Sequence, residues 1–239
     1  MPRPAIHSLR LTDAVEALLA FAAALIAVRF AGDLLARFRA RRAPHLAAWA
    51  ASLVAYAVAC AALAWGAAAG WDDIAFRVYY LAGGLVTAPL LGAGSLLLRG
   101  HRWAIPVAIA YAGLALGVMI AEPLTAPVTG TEIPDAQAHL DDFPARVLAA
   151  LGNSLGTLAV VVVALLTIRR DWIGNALILA GVVVAAAGTA LTGLGESDTA
   201  LFILGGVVLL YAGFLKTSGE RLAPIRSFRR GLRRAGRTA

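Results

Sequence analysis

The sequence contains very little of two residues that carry much protein chemistry. It has one cysteine, Cys60, and one lysine, Lys216, among 239 residues. A single cysteine excludes an intrachain disulfide and a cysteine-rich metal centre. A retinal protein needs a Schiff-base lysine inside its last helix, but Lys216 falls at the end of the last apolar segment. The residues present therefore argue against a disulfide scaffold and against a retinal protein.

Charge is also scarce. Only 15% of the residues are charged and 60% are apolar, whereas soluble domains are roughly 45 to 50% apolar. The centres of the apolar segments contain hydroxyl and thiol side chains but no carboxylate and no histidine. Because proton and sodium relays use buried ionisable groups, this pattern disfavours an ion-driven pump. The composition predicts an all-α integral membrane protein.

Seven apolar runs, each bounded by charged or turn residues, are long enough to cross a bilayer, which takes about 20 residues per helix. The predicted transmembrane helices cover residues 13–35, 46–70, 74–98, 103–122, 146–168, 172–194 and 199–216. They define a seven-helix transmembrane domain at 1–217 and a basic tail at 218–239.

The distribution of charge predicts the orientation of these helices, because short cytoplasmic loops retain arginine and lysine. Segments 29–42, 99–102, 169–170 and the chain from 216 onward hold 17 of the 21 basic residues. The opposite face holds 11 of the 14 acidic residues. The N-terminus is therefore predicted to lie outside and the tail in the cytoplasm. The basic excess then reports orientation and not nucleic-acid binding.

Arginine and alanine are used heavily, as in GC-rich bacteria, which indicates a bacterial cytoplasmic (inner) membrane. Two stretches of the third predicted helix, residues 76–84 and 89–95, resemble a span in an uncharacterised family of seven-helix membrane proteins from such bacteria. The resemblance implies the seven-helix fold and supplies no activity.

The topology also allows a parallel repeat of three helices on either side of a central one, as in sugar-transporting seven-helix proteins. Similar short motifs, residues 73–75 before Gly83 and residues 198–200 before Gly205, support it, but their spacings differ by three residues. The Pro-Gln pair of that superfamily is absent.

Glycine and proline mark two helices. Pro89 has no N–H for the Leu85 carbonyl, so a kink is predicted in the third helix, either as a plain bend or as a break that forms a cavity. Gly174, Gly181 and Gly188 recur every seven residues in the sixth helix and predict close helix packing.

One polar group near the outer end of the third helix suggests a binding site. Asp73, Arg77 and Tyr80 share a helix face, and Arg77 is the one basic residue in an outer half-span, where ionisable side chains are often functional. The alternative is an interfacial ion pair of Asp73 with Arg77 beside an aromatic belt. The candidate ligand-binding residues, expected to line an outward-facing cavity, are Asp73, Arg77, Tyr80, Glu122, Asn153 and Ser154.

Two further patterns are weaker evidence for a functional site. Residues 152–156 match the G-x-S-x-G nucleophile pattern, but they open an apolar helix and not the strand-to-helix turn of hydrolases. The segment between the fourth and fifth helices carries hard oxygen ligands and one imidazole, a weak divalent-ion set among prolines; these are Glu132, Asp135, His139, Asp141 and Asp142. We assign no catalytic residue, metal site or cofactor.

The basic tail has the pattern of a helix lying on a membrane surface. After Pro224, the apolar Ile225, Phe228 and Leu232 fall in one stripe, with arginines around them. Such a helix binds anionic headgroups at the cytoplasmic face, whereas the alternative is a tail without regular structure. The lipid-surface candidates are Arg226, Phe228, Arg229, Arg230, Arg233 and Arg234.

The sequence thus favours a non-enzymatic membrane protein that binds or passes a small or lipid-like molecule through an outward-facing cavity. An alternative is an accessory or scaffold subunit that packs against a membrane protein partner, or against a second copy, through the glycine-rich sixth and seventh helices. A sensor is the third possibility.

Overall fold

The computed structural model of the chain describes the backbone of residues 5–169, 172–192 and 199–217. All regular secondary structure in these ranges is helical, which confirms the predicted all-α class. The α-helices are α1 (Ala5–Arg41), α2 (Pro44–Ala69), α3 (Asp73–Tyr79), α4 (Thr87–Leu98), α5 (Ala104–Ala121), α6 (Ala136–His139), α7 (Val147–Thr167), α8 (Trp172–Thr192) and α9 (Thr199–Thr217).

Five stretches of helix are long and apolar enough to cross a membrane within the described residues: Ala14–Arg41, Pro44–Ala69, Asp73–Leu98, Ala104–Ala121 and Asp142–Thr167. They coincide with the first five predicted transmembrane helices. The sixth and seventh predictions fall on α8 and α9, whose described apolar stretches, Trp172–Ala185 and Leu201–Gly213, are shorter. Large apolar side chains are exposed along these helices, as expected where lipid covers them.

The first helix is longer than predicted. It was expected to end near residue 35, but α1 continues to Arg41, and the link to α2 consists of Arg42 and Ala43 alone. Arg42 adopts a φ of 52°, and Pro44 then starts α2 at a position where its missing N–H costs nothing. Arginine is a good helix former and is favourable in a last turn, so the basic segment extends α1 and does not form a loop.

The predicted kink before Pro89 takes the form of a π-helical segment, Tyr80–Val86, between α3 and α4. Because Pro89 cannot donate a hydrogen bond, the preceding turn has one backbone donor too few. Side chains from both neighbouring helices donate to carbonyls here. The Asn153 side chain binds the Gly84 carbonyl at 2.8 Å, and the Ser52 hydroxyl binds the Thr87 carbonyl at 2.7 Å. The irregular segment is therefore fixed by α7 and α2.

Helices α4 and α7 cross with almost no side chain between them. A Cβ placed on Gly92 would lie 2.6 Å from the Cα of Gly156, and one on Gly156 would lie 2.8 Å from the nitrogen of Pro89. A Cβ on Gly152 would lie 2.9 Å from the side chain of Pro89. Gly152 and Gly156 thus act as a small-residue pair for helix packing, which accounts for the two glycines of the G-x-S-x-G pattern.

The glycines of α8 and α9 pack these two helices against each other. A Cβ on Gly181 would lie 3.0 Å from the carbonyl of Gly206, and one on Gly213 would lie 2.8 Å from the carbonyl of Gly174. The predicted packing role is confirmed for Gly174 and Gly181. These glycines, which were expected to face a partner protein in the scaffold alternative, are used within the chain.

Helix α9 also returns to α1. The Tyr211 hydroxyl donates to the carboxylate of Asp33 at 2.7 Å, and its ring lies 4.7 Å from that of Phe30. Arg29, one turn before Asp33, is 3.7 Å from the same carboxylate oxygen. This contact joins segments that are 178 residues apart in sequence.

Candidate functional site

Arg77 lies where α3 meets the end of α5. The carboxylate of Asp72 accepts a hydrogen bond from the Ala75 N–H at 2.7 Å and caps the start of α3, so Arg77 follows one turn into the helix. Its guanidinium donates to the carbonyl of Met119 and, at 2.8 Å, to the carbonyl of Glu122. Carbonyls in a last helical turn lack intrahelical donors. Arg77 therefore caps α5 and fixes it against α3.

The expected ion pair of Arg77 with Asp73 is not formed. The Asp73 carboxylate accepts a hydrogen bond from the backbone N–H of Val128 at 3.0 Å. Val128 belongs to the segment that follows α5, and its side chain is buried. The two charged side chains, one turn apart, thus hold two different parts of the chain in place.

The segment between α5 and α7 packs against the ends of α2 and α3. Val128 and Leu140 insert into the core formed with Trp71 and Phe76. The backbone N–H of Trp71 donates to the Gly130 carbonyl at 2.7 Å, and this bond ties the segment to the end of α2. We call residues 123–141 the cap. The cap is therefore packed onto the ends of α2 and α3.

Glu122 links the cap to the helices. It is only 6% exposed, and its Oε2 accepts a hydrogen bond from the Ala145 N–H at 3.1 Å. Its other carboxylate oxygen, Oε1, is buried and has no hydrogen-bond partner. Burial raises the pKa of Glu122; the Ala145 N–H opposes this, the Asp141 carboxylate adds to it, and Arg77 opposes it. Glu122 is a buried acid with one unsatisfied acceptor.

A groove of about 580 Å³ runs from Glu122 along the C-terminal half of α5. Glycines 113 and 117 lie in its α5 wall, and a Cβ on either would meet no atom within 4 Å. Phe143, which is 76% exposed, forms part of the opposite wall. The lining residues are Gly113, Leu114, Gly117, Val118, Ala121, Glu122, Pro123, Asp141, Phe143 and Pro144. The groove is apolar along α5 and acidic at its end.

The remaining sequence candidates lie elsewhere. Tyr80 stacks on Phe76 at 5.9 Å between ring centroids, and Asn153 is bound to the backbone of the π-helical segment. Asn153 and Ser154 together line a separate shallow depression of about 460 Å³. The structure therefore brings Arg77 and Glu122 together, while the Asp73 carboxylate is bound to Val128 of the cap. It does not bring all six candidates into one cavity. Their binding of a ligand stays a prediction.

Three residues of the divalent-ion set suggested by the sequence have local structural partners. Asp135 caps α6 by accepting from the Gln137 N–H at 3.0 Å, and Asp142 pairs with Arg146. His139 packs its ring against Phe76, with 5.5 Å between centroids. Among the described residues, no group of three or more histidine, cysteine or acidic side chains is placed to hold a metal ion.

The groove itself was not predicted, although Glu122 was a candidate. The available signal was the spacing of Gly113, Gly117 and Ala121, which puts small residues on one face of α5 directly before Glu122. The tail candidates Arg226 to Arg234 lie outside the described residues.

Comparison of the chain with family models, with curated proteins and with solved structures found no match. The site is therefore interpreted from its own geometry.

Proposed function

We propose that this is a seven-span protein of a bacterial inner membrane that binds a lipid-like molecule in the groove along α5. Its N-terminus lies outside, its tail contacts anionic headgroups at the cytoplasmic face, and it performs no catalysis. The charge distribution supports the orientation, and the five long apolar helices support the membrane location.

The observation that carries the binding proposal is the groove, apolar along a helix and acidic at one end. Large apolar side chains on α5 outside the groove, such as Ile109 and Ile120, are exposed. In a bilayer this side of the bundle faces lipid, so the groove opens towards acyl chains. A chain of methylene groups fits its apolar wall, where van der Waals packing favours binding within the bilayer.

The scaffold alternative has less support than it had from the sequence. It relied on glycine-rich surfaces of the sixth and seventh helices, but Gly181 and Gly206 lie against each other. Open small-residue surface is found instead on α5, at Gly113 and Gly117, within the groove.

The experiment is to fill the groove and measure bound lipid. Gly117→Phe puts a ring into open space in the α5 wall, so it should displace an acyl chain without disturbing the protein core. Gly32→Phe is the matched control, because Gly32 is also a helical glycine with open space around it, but outside the groove. Native mass spectrometry of the purified proteins should show retained lipid for wild type and for Gly32→Phe and its loss for Gly117→Phe. Equal retention by all three would contradict the proposal.

A further inference from the structure

The unsatisfied oxygen of Glu122 points to the chemistry of the ligand. Glu122 lines the groove and is more than nine-tenths buried, and its Oε1 has no partner while Oε2 is bound to Ala145. A buried acceptor without a donor is costly. Oε1 has almost no accessible surface, so a ligand's donor would reach it once the Glu122 side chain turns towards the groove, and that contact would remove the cost.

The charges around Glu122 favour a cationic donor. Asp141 also lines this end of the groove, so two acidic residues lie at the same end. Arg146 pairs with Asp142. The Arg77 guanidinium binds the carbonyls of Met119 and Glu122 and keeps its positive charge, which offsets one of the two negative charges and leaves this end of the groove net acidic. An anionic headgroup would meet like charge here, whereas an ammonium group would meet two carboxylates.

Other occupants fit this end less well. Two carboxylates are too few for a divalent-ion cage, which takes six to eight oxygen ligands for calcium. A second copy related by a two-fold axis along the membrane normal would place its own Glu122 and Asp141 at the same depth, so acid would face acid. A lipid with an ammonium headgroup fits both the apolar wall and the acidic end.

We propose that the groove selects lipids whose headgroup carries a primary ammonium, with Glu122 accepting its hydrogen bond and Asp141 adding negative charge. This inference rests on the proposed lipid-binding function. A primary ammonium supplies both charge and N–H donors, and a quaternary ammonium supplies charge alone, so the first should bind more tightly than the second.

The test uses the full chain reconstituted in nanodiscs with equal amounts of phosphatidylethanolamine, phosphatidylcholine and phosphatidylglycerol. Lipid retained after release into the gas phase is counted by native mass spectrometry. Wild type should prefer phosphatidylethanolamine to phosphatidylglycerol by at least about tenfold, the size expected of one charge-assisted hydrogen bond. Phosphatidylcholine should fall between them. Equal retention of the three lipids would overturn the inference.

Glu122→Gln should bring this preference to within about twofold of parity, because its amide oxygen still accepts from Ala145 while the charge is lost. Asp141→Asn, at an exposed position, should reduce the preference partly. A preference unchanged in Glu122→Gln would overturn the inference. Should that variant fail to fold, an unchanged preference in Asp141→Asn would overturn it in the same way.

The variant Gly117→Phe separates this inference from the function on which it rests. If Gly117→Phe loses all bound lipid but wild type shows no headgroup preference, the lipid-groove proposal is supported and the ammonium-site proposal is contradicted. If Gly117→Phe retains as much lipid as wild type, both the lipid-groove proposal and the ammonium-site proposal are contradicted. A lipid-free dimer that dissociates in Gly117→Phe would show that a second copy occupies the groove and would also overturn the inference.

Discussion

Asn153 on α7 donates its side-chain amide to the carbonyl of Gly84, in the π-helical segment that precedes Pro89, at 2.8 Å. The bond adds a side-chain donor to the turn before Pro89, next to the Leu85 carbonyl that proline leaves without one. Asn153→Leu keeps the volume and removes the donor, so we expect a loss of about 1 to 3 kcal/mol in the free energy of unfolding. Ser154→Ala, at the exposed neighbouring position, should change it by less than about 0.5 kcal/mol. Equal stability of the two variants in a denaturation series in detergent would show that the bond is not needed.

The crossing of α4 and α7 should not tolerate a single added methyl group. Gly156→Ala would press a Cβ against the backbone of Pro89 at 2.8 Å, and backbone cannot rotate away as a side chain can. Overpacking of this kind costs about 1 to 3 kcal/mol. Gly113→Ala, which meets open space, is the matched control and should be neutral or slightly stabilising. The same stability in both variants, measured by thermal unfolding, would contradict the close crossing.

Arg77 should matter more for stability than a typical surface arginine. Arg77→Gln removes a charged fork that binds two carbonyls at the end of α5, and hydrogen bonds to charged groups contribute about 1.5 to 3 kcal/mol each. Arg146→Gln is the comparison, because its partner Asp142 is exposed and exposed ion pairs contribute about 0 to 1 kcal/mol. We expect Arg77→Gln to lower the melting temperature clearly more. The reverse order would exclude the capping role.

Glu122 should make stability depend on pH in an unusual direction. Its pKa is raised above the ordinary value of 4.5, chiefly by burial and further by Asp141, against the opposing Ala145 N–H and Arg77. The folded state therefore binds more protons than the unfolded state, so stability falls as pH rises from about 4.5 through the raised pKa. The melting temperature of Glu122→Gln should lack this decline.

A control fixes the origin of that pH effect. Glu132 lies in the cap but is exposed, so Glu132→Gln should retain the wild-type profile. The assignment to Glu122 fails if Glu122→Gln keeps the decline in stability as pH rises from 4.5.

The orientation can be measured with single cysteines, because the native Cys60 is buried and replaceable by serine. In a Cys60→Ser background, His101→Cys should be shielded from an impermeant thiol reagent in intact cells, and Ala138→Cys should be labelled. Both positions are exposed, so access to the reagent is set by the side of the membrane. Labelling at 101 but not at 138 would show that the orientation is the opposite of the one proposed.

Helix positions could be predicted closely because the bilayer fixes the length of an apolar run; the third prediction, 74–98, differs by one residue from Asp73–Leu98. The cap could not be predicted. Its packing depends on contacts of Val128 and Leu140 with Trp71 and Phe76, and no local pattern encodes such distant pairs. The groove was missed for the same reason, since Phe143 and Gly117 meet only in the folded chain.

The contact between Tyr211 and Asp33 has a consequence for biosynthesis. Asp33 lies in an apolar helix that leaves the ribosome long before α9 is made. During this interval its carboxylate lacks the hydrogen bond from Tyr211. Arg29 lies one turn away in the same helix, with its Nε 3.7 Å from the Asp33 carboxylate, so an ion-pair partner is present throughout that interval. The first helix thus carries its own counterion from the start, and the arrival of α9 adds a hydrogen bond to a carboxylate that Arg29 already accompanies.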